Sequence, residues 1–473
     1  MKNRIIGRKK SIHQLKNCLN DKEASLVVVT GRRRVGKTYL VNNVFDEDFA
    51  FKVTGDYLGS KEVQLNNFVN ELNRRWNRSL AVPKNWYDAF SLLRDYLESL
   101  EKNKKHIFFF DELPWLDTHS SGFLDAFEYF WNDYASAKSN LLLIVCGSSS
   151  SWIEDKIINN KGGLYKRYTQ KITLLPFTLK ECKEYLEYKG IHWSNYDIAT
   201  IYMILGGIPY YLRLLDGSLS LGQNVDELFF TKDAALKNEF ALLFRTLFSG
   251  SKQYVDIVKA LANKKNGLSR DEISKKLNVA NNGDLSEKID NLCITGFVAP
   301  FDARNGRKGV RYRLSDYFSA FYLKFVDGSN GVDEHYWSKS SDNPSVIAWK
   351  GLTFENLCFD HIENIKDVLG IKGVITESFS WSHASANGRG AQIDLVIKRR
   401  DRVTNICEIK FSIGEFEIDK DYSLKLINKS SVYRSITATK DTIQTTLITS
   451  YGLKENKYSN IINNVITIDD LFE

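Results

Sequence analysis

The chain has 473 residues, of which 43% are hydrophobic and 13% aromatic, too long for one core; ordinary domain sizes make roughly three domains the default. Its formal net charge of +7 permits a nucleic-acid partner without requiring one. No apolar run approaches the ~20 residues that span a bilayer, and Met1 to Lys10 is too charged to open a secretory signal, so the expectation is a cytoplasmic protein with no membrane partner. Cys18, Cys146, Cys182, Cys293, Cys358 and Cys407 form no Cys-x-x-Cys pair and have no histidine at metal spacing, and they read as reduced, mostly buried thiols.

Leu26 to Thr30 is a β-branched run that enters Gly31-Arg32-Arg33-Arg34-Val35-Gly36-Lys37-Thr38, and Tyr39 to Phe45 continues at helical spacing. Strand, glycine loop and helix in this order form a phosphate-cradling P-loop that binds ATP. Gly31 and Gly36 let the intervening amides turn inward, Lys37 reaches the β- and γ-phosphates, and the Thr38 hydroxyl ligates Mg²⁺. The plainer alternative is a glycine turn with a surface lysine. Ile107 to Glu112 supplies an apolar strand ending in two acids, in which Asp111 holds Mg²⁺ through water and Glu112 polarises the attacking water. Leu141 to Cys146 is a third apolar strand, and Ser148 just after it stands where a γ-phosphate sensor is expected; a strand followed by a serine turn is the competing reading.

These motifs, together with Ile5 to Lys10 and Leu15, Asp111-Glu112-Leu113-Pro114-Trp115, Gly147 to Ser151, Leu164-Tyr165-Lys166-Arg167 and Gly206-Gly207-Ile208-Pro209-Tyr210, resemble the archaeal-type AAA+/STAND-related ATPase family. The resemblance implies that Arg167 is a charge-stabilising arginine, acting in cis or on a neighbour's nucleotide, which leaves a homo-oligomer open. It also implies that Gly206 to Tyr210, with Pro209 toward the nucleotide, is the motif of a helical lid. Lys166 stands where the family often has glycine.

Leu212 to Phe248 is helical in pattern and carries no nameable chemistry. Val255 to Leu261 then suggests one helix, Ser269 to Leu277 a second with a capping-box start, and Leu285, Ile289 and Leu292 a third that Gly296 ends. Phe297 to Phe301 and Val310 to Leu314 read as two strands around a basic turn. Three helices and a basic hairpin predict a winged helix, with Arg304, Arg307, Lys308, Arg311 and Arg313 on DNA phosphates. Such a unit also serves as a protein-docking spacer, and the acidic Glu287 and Asp290 on the third helix argue against base reading.

Asp327 to Pro344 has the composition of a linker. Trp349, Leu352, Phe354 and Leu357 follow at helical spacing with Glu355 on the same helix, and strands are expected near Ser378 to Ser382, Ala391 to Ile397 and Asn405 to Lys410. An acid, Asp394, on one strand and Glu408-x-Lys410 on its neighbour match the constellation of PD-(D/E)xK nucleases. Alternation places Glu408 and Lys410 on one face, where Asp394 and Glu408, with Glu355 added, bind Mg²⁺ and Lys410 activates the water. A solvated strand of alternating charge is the structural alternative. The resembled family carries a C-terminal domain of this class, matched at Gly388 to Asp394 and Cys407 to Lys410.

The expected fold is therefore α/β: a P-loop NTPase (AAA+-like) parallel sheet at 1–175 with a helical lid at 176–248, a winged helix at 249–326, and a C-terminal α/β restriction-endonuclease-like domain at 345–473. The expected function is an ATP-binding and hydrolysing switch coupled to a DNA-binding, Mg²⁺-dependent nuclease-like domain. The alternative is a regulatory DNA- or protein-binding switch without nuclease activity.

Overall fold

The computed structural model describes residues 4–473 except 149, 160–161, 249, 263, 305–309, 330–332 and 385–389. Ser149, Arg307 and Lys308, Gly388 and Arg389 therefore lie outside the described residues. The chain divides into two compact units, one formed by residues 1–176 and 245–249, the other by 177–244 and 250–473.

The first unit is built on a five-stranded sheet of β1 (Ser25–Thr30), β2 (Phe51–Thr54), β3 (His106–Asp111), β4 (Leu141–Cys146) and β5 (Gln170–Thr173). Every pairing is parallel and the order is β2-β3-β4-β1-β5. All residues of β1, β3 and β4 are buried, which is why they read as continuous apolar runs: a parallel sheet is covered on both faces. One face packs an aromatic core of Phe68, Trp86, Phe90, Phe110, Phe123 and Phe127. The three central strands all release the chain at the same sheet edge, the place where open α/β sheets bind ligands.

The second unit opens with helices Leu179–Tyr188, Asn195–Leu205, Pro209–Arg213 and Leu221–Phe229. The three helices expected next are present as Ser251–Leu261, Arg270–Leu277 and Gly283–Ile294, and Ser269 with Glu272 forms the reciprocal capping box. They accompany a small antiparallel sheet of β6 (Leu268–Ser269), β9 (Arg311–Leu314) and β7 (Val298–Phe301), in that order. Between β7 and β9, the two-residue β8 (Ala303–Arg304) leaves this sheet and pairs in parallel with a strand 77 positions on, Ser380 beside Ala303.

The segment expected as a linker holds a docked helix among its described residues. Helix Tyr336–Lys339 buries Trp337 against Phe321, Phe325 and Trp349, and buried Asp226 accepts from the Trp337 amide at 2.8 Å and from the Ser338 amide and hydroxyl. Composition concealed this because one large apolar side chain among polar residues is enough to dock a short segment.

Helix Pro344–Asp360 leads into β10 (Thr376–His383), β11 (Ala391–Arg399) and β12 (Val403–Lys410), an antiparallel meander. Helix Lys420–Thr437 then crosses over to β13 (Thr442–Thr449), parallel to β12, and β14 (Asn464–Thr467) follows at the edge. The six-stranded order is β14-β13-β12-β11-β10-β8. Among the described residues, no helix is long and apolar enough to cross a membrane.

Trp337→Ala empties an aromatic site in the second unit and is expected to cost about 3–5 kcal/mol. The check is the midpoint of its urea unfolding; an unshifted midpoint would mean that the segment is not docked in solution.

Candidate functional site

The loop after β1 owes its path to two glycines. Gly31 has φ 140° and a Cβ there would stand 2.3 Å from the Leu174 carbonyl oxygen; Gly36 has φ 92° at the N-cap of helix Lys37–Val44. Only glycine meets both demands. The loop leads Lys37 into the interior, where its Nζ donates to the carbonyls of Gly31 at 2.8 Å and Arg32 at 3.1 Å and to Ser148 Oγ at 3.4 Å. Burial pushes the Lys37 ammonium below its ordinary pKa, while the charges of Glu112 and Asp111 oppose that fall.

The acids arrive from the neighbouring strands. Thr38 Oγ1 donates to both carboxylate oxygens of Asp111, at 3.0 and 2.9 Å, so two hard oxygen donors converge as a nucleotide-bound Mg²⁺ requires. Cys146 at the end of β4 also donates to Asp111, through Sγ at 2.7 Å; burial, then the Asp111 charge, pushes that thiol well above its ordinary pKa. Glu112 lies just past β3 in the left-handed region, φ 47°, and its carboxylate accepts from Ser148 N at 2.8 Å and Ser148 Oγ at 2.5 Å. Ser148, expected near phosphate, thus also grips Glu112. Arg32 is buried, and Arg33 lies over the Trp115 ring at 5.9 Å.

Arg167 is exposed in the turn after Leu164 and is not among the contacts of Lys37, Thr38, Asp111 or Glu112. Pro209, in the second unit, is the first residue of helix Pro209–Arg213, preceded by Gly206 and Gly207 at φ 70° and 65°.

In the second unit an open cleft of about 560 Å³ is lined by Lys265, Glu355, Asp394, Glu408, Lys410 and Lys429 among others. The register that pairs Leu395 with Cys407 carries Asp394 and Glu408 to the same end of β11 and β12, and helix Pro344–Asp360 brings Glu355. Both Asp394 and Glu408 are buried. Lys410 Nζ is 2.9 Å from Glu408 Oε1, which places both on one face of β12 as alternation requires. Tyr422 and Lys429 also bind Glu408, the lysine at 2.5 Å. Burial alone would raise the Glu408 carboxyl, but Lys429 and Lys410 outweigh it and hold the group below its ordinary pKa. Glu355 moves the other way, to about 7, through burial and the nearby Asp394 charge.

Lys265, Tyr422 and Lys429 were not foreseen. Tyr422 and Lys429 are seven residues apart on one helix, a spacing that puts both on one face and could have marked them. Lys265 is 129 positions from the acid it meets, and no local pattern announces it.

The basic hairpin departs from expectation at Arg311 and Arg313. Arg304 binds Asp302 and Glu377, Arg311 binds Glu272 and the carbonyls of Asn266 and Gly267, and Arg313 binds Asn356 and Asp360. Arg311 and Arg313 are buried. Arg311 and Arg313, expected on phosphate, form internal ion pairs because alternation in β9 turns them inward, whereas β8 carries Arg304 to the larger sheet, where its pairs with Asp302 and Glu377 are exposed.

The parallel sheet, glycine loop, buried lysine and paired acids define the first unit as a P-loop ATPase core. Residues 5–215 match the family described as an ATPase domain predominantly from Archaea. The uncharacterized protein MJECL04 of Methanocaldococcus jannaschii is 24% identical over 425 residues, 88% of this chain and 90% of that protein. Among solved structures, the Walker-type ATPase PABY2304 of Pyrococcus abyssi is 20% identical with a TM-score of 0.49, covering 67% of this chain and 96% of that one. The ORC2 protein of Aeropyrum pernix, in its ADPNP–ADP complexes, is 13% identical with a TM-score of 0.43, covering 72% and 97%.

Arg313→Ala breaks a buried, hydrogen-bonded ion pair and is expected to destabilise the second unit by about 3 kcal/mol, read from its urea midpoint. An unchanged midpoint joined to weaker retention on DNA would return Arg313 to phosphate binding.

Proposed function

We propose that this chain is an ATP-driven switch whose C-terminal cleft is a metal-dependent, nuclease-like site acting on DNA. At the first site the amides and side chains of Gly31 to Thr38 hold the phosphates, Lys37 neutralises them, Thr38 and Asp111 hold Mg²⁺, and Glu112 polarises the attacking water. Ser148 reports the γ-phosphate: a phosphate that draws its hydroxyl away releases Glu112 to the water. Arg167 stabilises the developing charge on its own or a neighbouring nucleotide, and the Pro209 motif belongs to the lid.

The observation that carries the nuclease-like reading is the convergence of Asp394, Glu408, Lys410 and Glu355 on one open cleft. Its donors are all carboxylate oxygens, the set a hard divalent cation takes. In this reading Asp394 and Glu408 would hold Mg²⁺ with Glu355, and Lys410, kept as an ammonium by Glu408, orients the attacking water. The cation, when bound, supplies Lewis-acid polarisation of the phosphodiester.

One observation favours the alternative of a regulatory switch that cuts nothing. Among the described residues, no three His, Cys, Asp or Glu side chains are arranged to hold a metal ion; in the cleft, ammonium groups engage the carboxylates instead.

Plasmid and single-stranded DNA incubated with Mg²⁺ or Mn²⁺, with and without ATP, separate the two. Lys410→Ala is expected to abolish cutting and Lys37→Ala to remove its dependence on ATP; hydrolysis of ATP by a wild type that cuts neither substrate selects the regulatory switch. Glu112→Gln is expected to keep nucleotide affinity and lower kcat by about 10²–10⁴-fold, measured by phosphate release and equilibrium binding. Equal loss of both would remove Glu112 from the hydrolytic step.

A further inference from the structure

Lys265 lies in the turn between helix Ser251–Leu261 and β6, well outside the C-terminal sheet. Its Nζ nevertheless sits 2.7 Å from Glu355 Oε1 and 3.2 Å from Asp394 Oδ1. The turn is fixed from behind: Arg311 donates to the carbonyls on either side of the next peptide, Asn266 O at 2.7 Å and Gly267 O at 2.8 Å. Gly267 has φ 58°, and a Cβ there would meet the Tyr312 carbonyl oxygen at 2.4 Å. The helix and hairpin unit thus aims Lys265 at the acids of another part of the chain.

The charges in the cleft then balance. Lys265 serves Glu355 and Asp394, and Lys410 and Lys429 serve Glu408, so three ammonium groups face three carboxylates. A divalent cation entering between Glu355 and Asp394 meets a cation already bonded to both. The Lys265 head is on a flexible four-carbon stem and is partly exposed, 36% by side-chain area, so it can withdraw without unfolding the turn.

Resting on the reading of this cleft as a metal-dependent site, we propose that Lys265 is a tethered cation that fills the metal position, and that metal enters only as Lys265 leaves. Whatever moves the Lys265 turn, including a ligand of the helix and hairpin unit, then sets metal occupancy at the acids.

The test is Mn²⁺ titration of the nucleotide-free full chain by calorimetry, using wild type, Lys265→Met, Lys265→Gln, Lys265→Arg and Asp394→Asn. The Asp394→Asn titration subtracts sites elsewhere. Removing one positive charge a few ångströms from the ion is expected to tighten Asp394-dependent binding by about tenfold or more in both neutral variants, and Lys265→Arg is expected to bind like wild type. Thermal unfolding of the same proteins checks that each is folded. Mn²⁺ is expected to raise Tm further in Lys265→Met than in wild type, since an ion that binds the native state stabilises it in proportion to its occupancy. Asp394-dependent binding that is equal or weaker in both neutral variants overturns the tethered cation and leaves the cleft reading standing. No Asp394-dependent binding in any folded variant overturns both.

Discussion

Burial of charge is the constraint on which both sites depend. An ammonium taken out of water must find carbonyl or carboxylate oxygens, and a buried carboxylate must find donors, or the group loses its charge. Lys37 is 5% exposed, and it satisfies the demand with two carbonyls of its own loop and the Ser148 hydroxyl. That need shapes the glycine loop around it and draws β1, β3 and β4 into one site, because the carbonyls come from the end of β1 and the acids and hydroxyl from the ends of the other two. In the second unit the same rule applies to Asp394 and Glu408, whose partners are recruited from a distant turn and from a crossover helix.

The two sites differ in how they meet the rule. In the P-loop the neutralising groups are local in sequence, as Lys37 and Thr38 are neighbours and Gly31 is six residues away. In the cleft the acids and lysines come from four separate elements: a turn, helix Pro344–Asp360, the β11–β12 pair and helix Lys420–Thr437. A site assembled from so many pieces is sensitive to the relative position of those pieces within the unit, which suits a site under control better than one that is always ready.

This difference also explains what could be read from residues alone. β1, β3 and β4 were legible to within a residue because strands buried on both faces are written as apolar runs, and the P-loop was legible because its chemistry is contiguous. The helix and hairpin elements were legible from capping and periodicity, Ser269 with Glu272 in particular. The destination of the hairpin arginines was not, since a basic residue facing phosphate and one facing an internal acid look the same in a sequence. The docked Trp337 was hidden by its polar neighbours. Lys265 could not have been found by spacing, for its meaning depends on tertiary placement.

One feature of the middle segment bears on motion. β7 ends at Phe301 and β8 begins at Ala303, so a single residue, Asp302, joins a strand of the small sheet to the edge strand of the large one, and the Ser380 amide donates to the Asp302 carbonyl at 3.1 Å. With so short a joint the small sheet cannot tilt freely; to swing the Lys265 turn outward by rotation it must unzip β8 from β10 and leave the β10 edge bare. An exposed strand edge is a template for another strand. The same movement that opens the cleft would therefore create a site for β-strand addition, and a partner offering an extended segment could hold the molecule open by taking the place that β8 vacates.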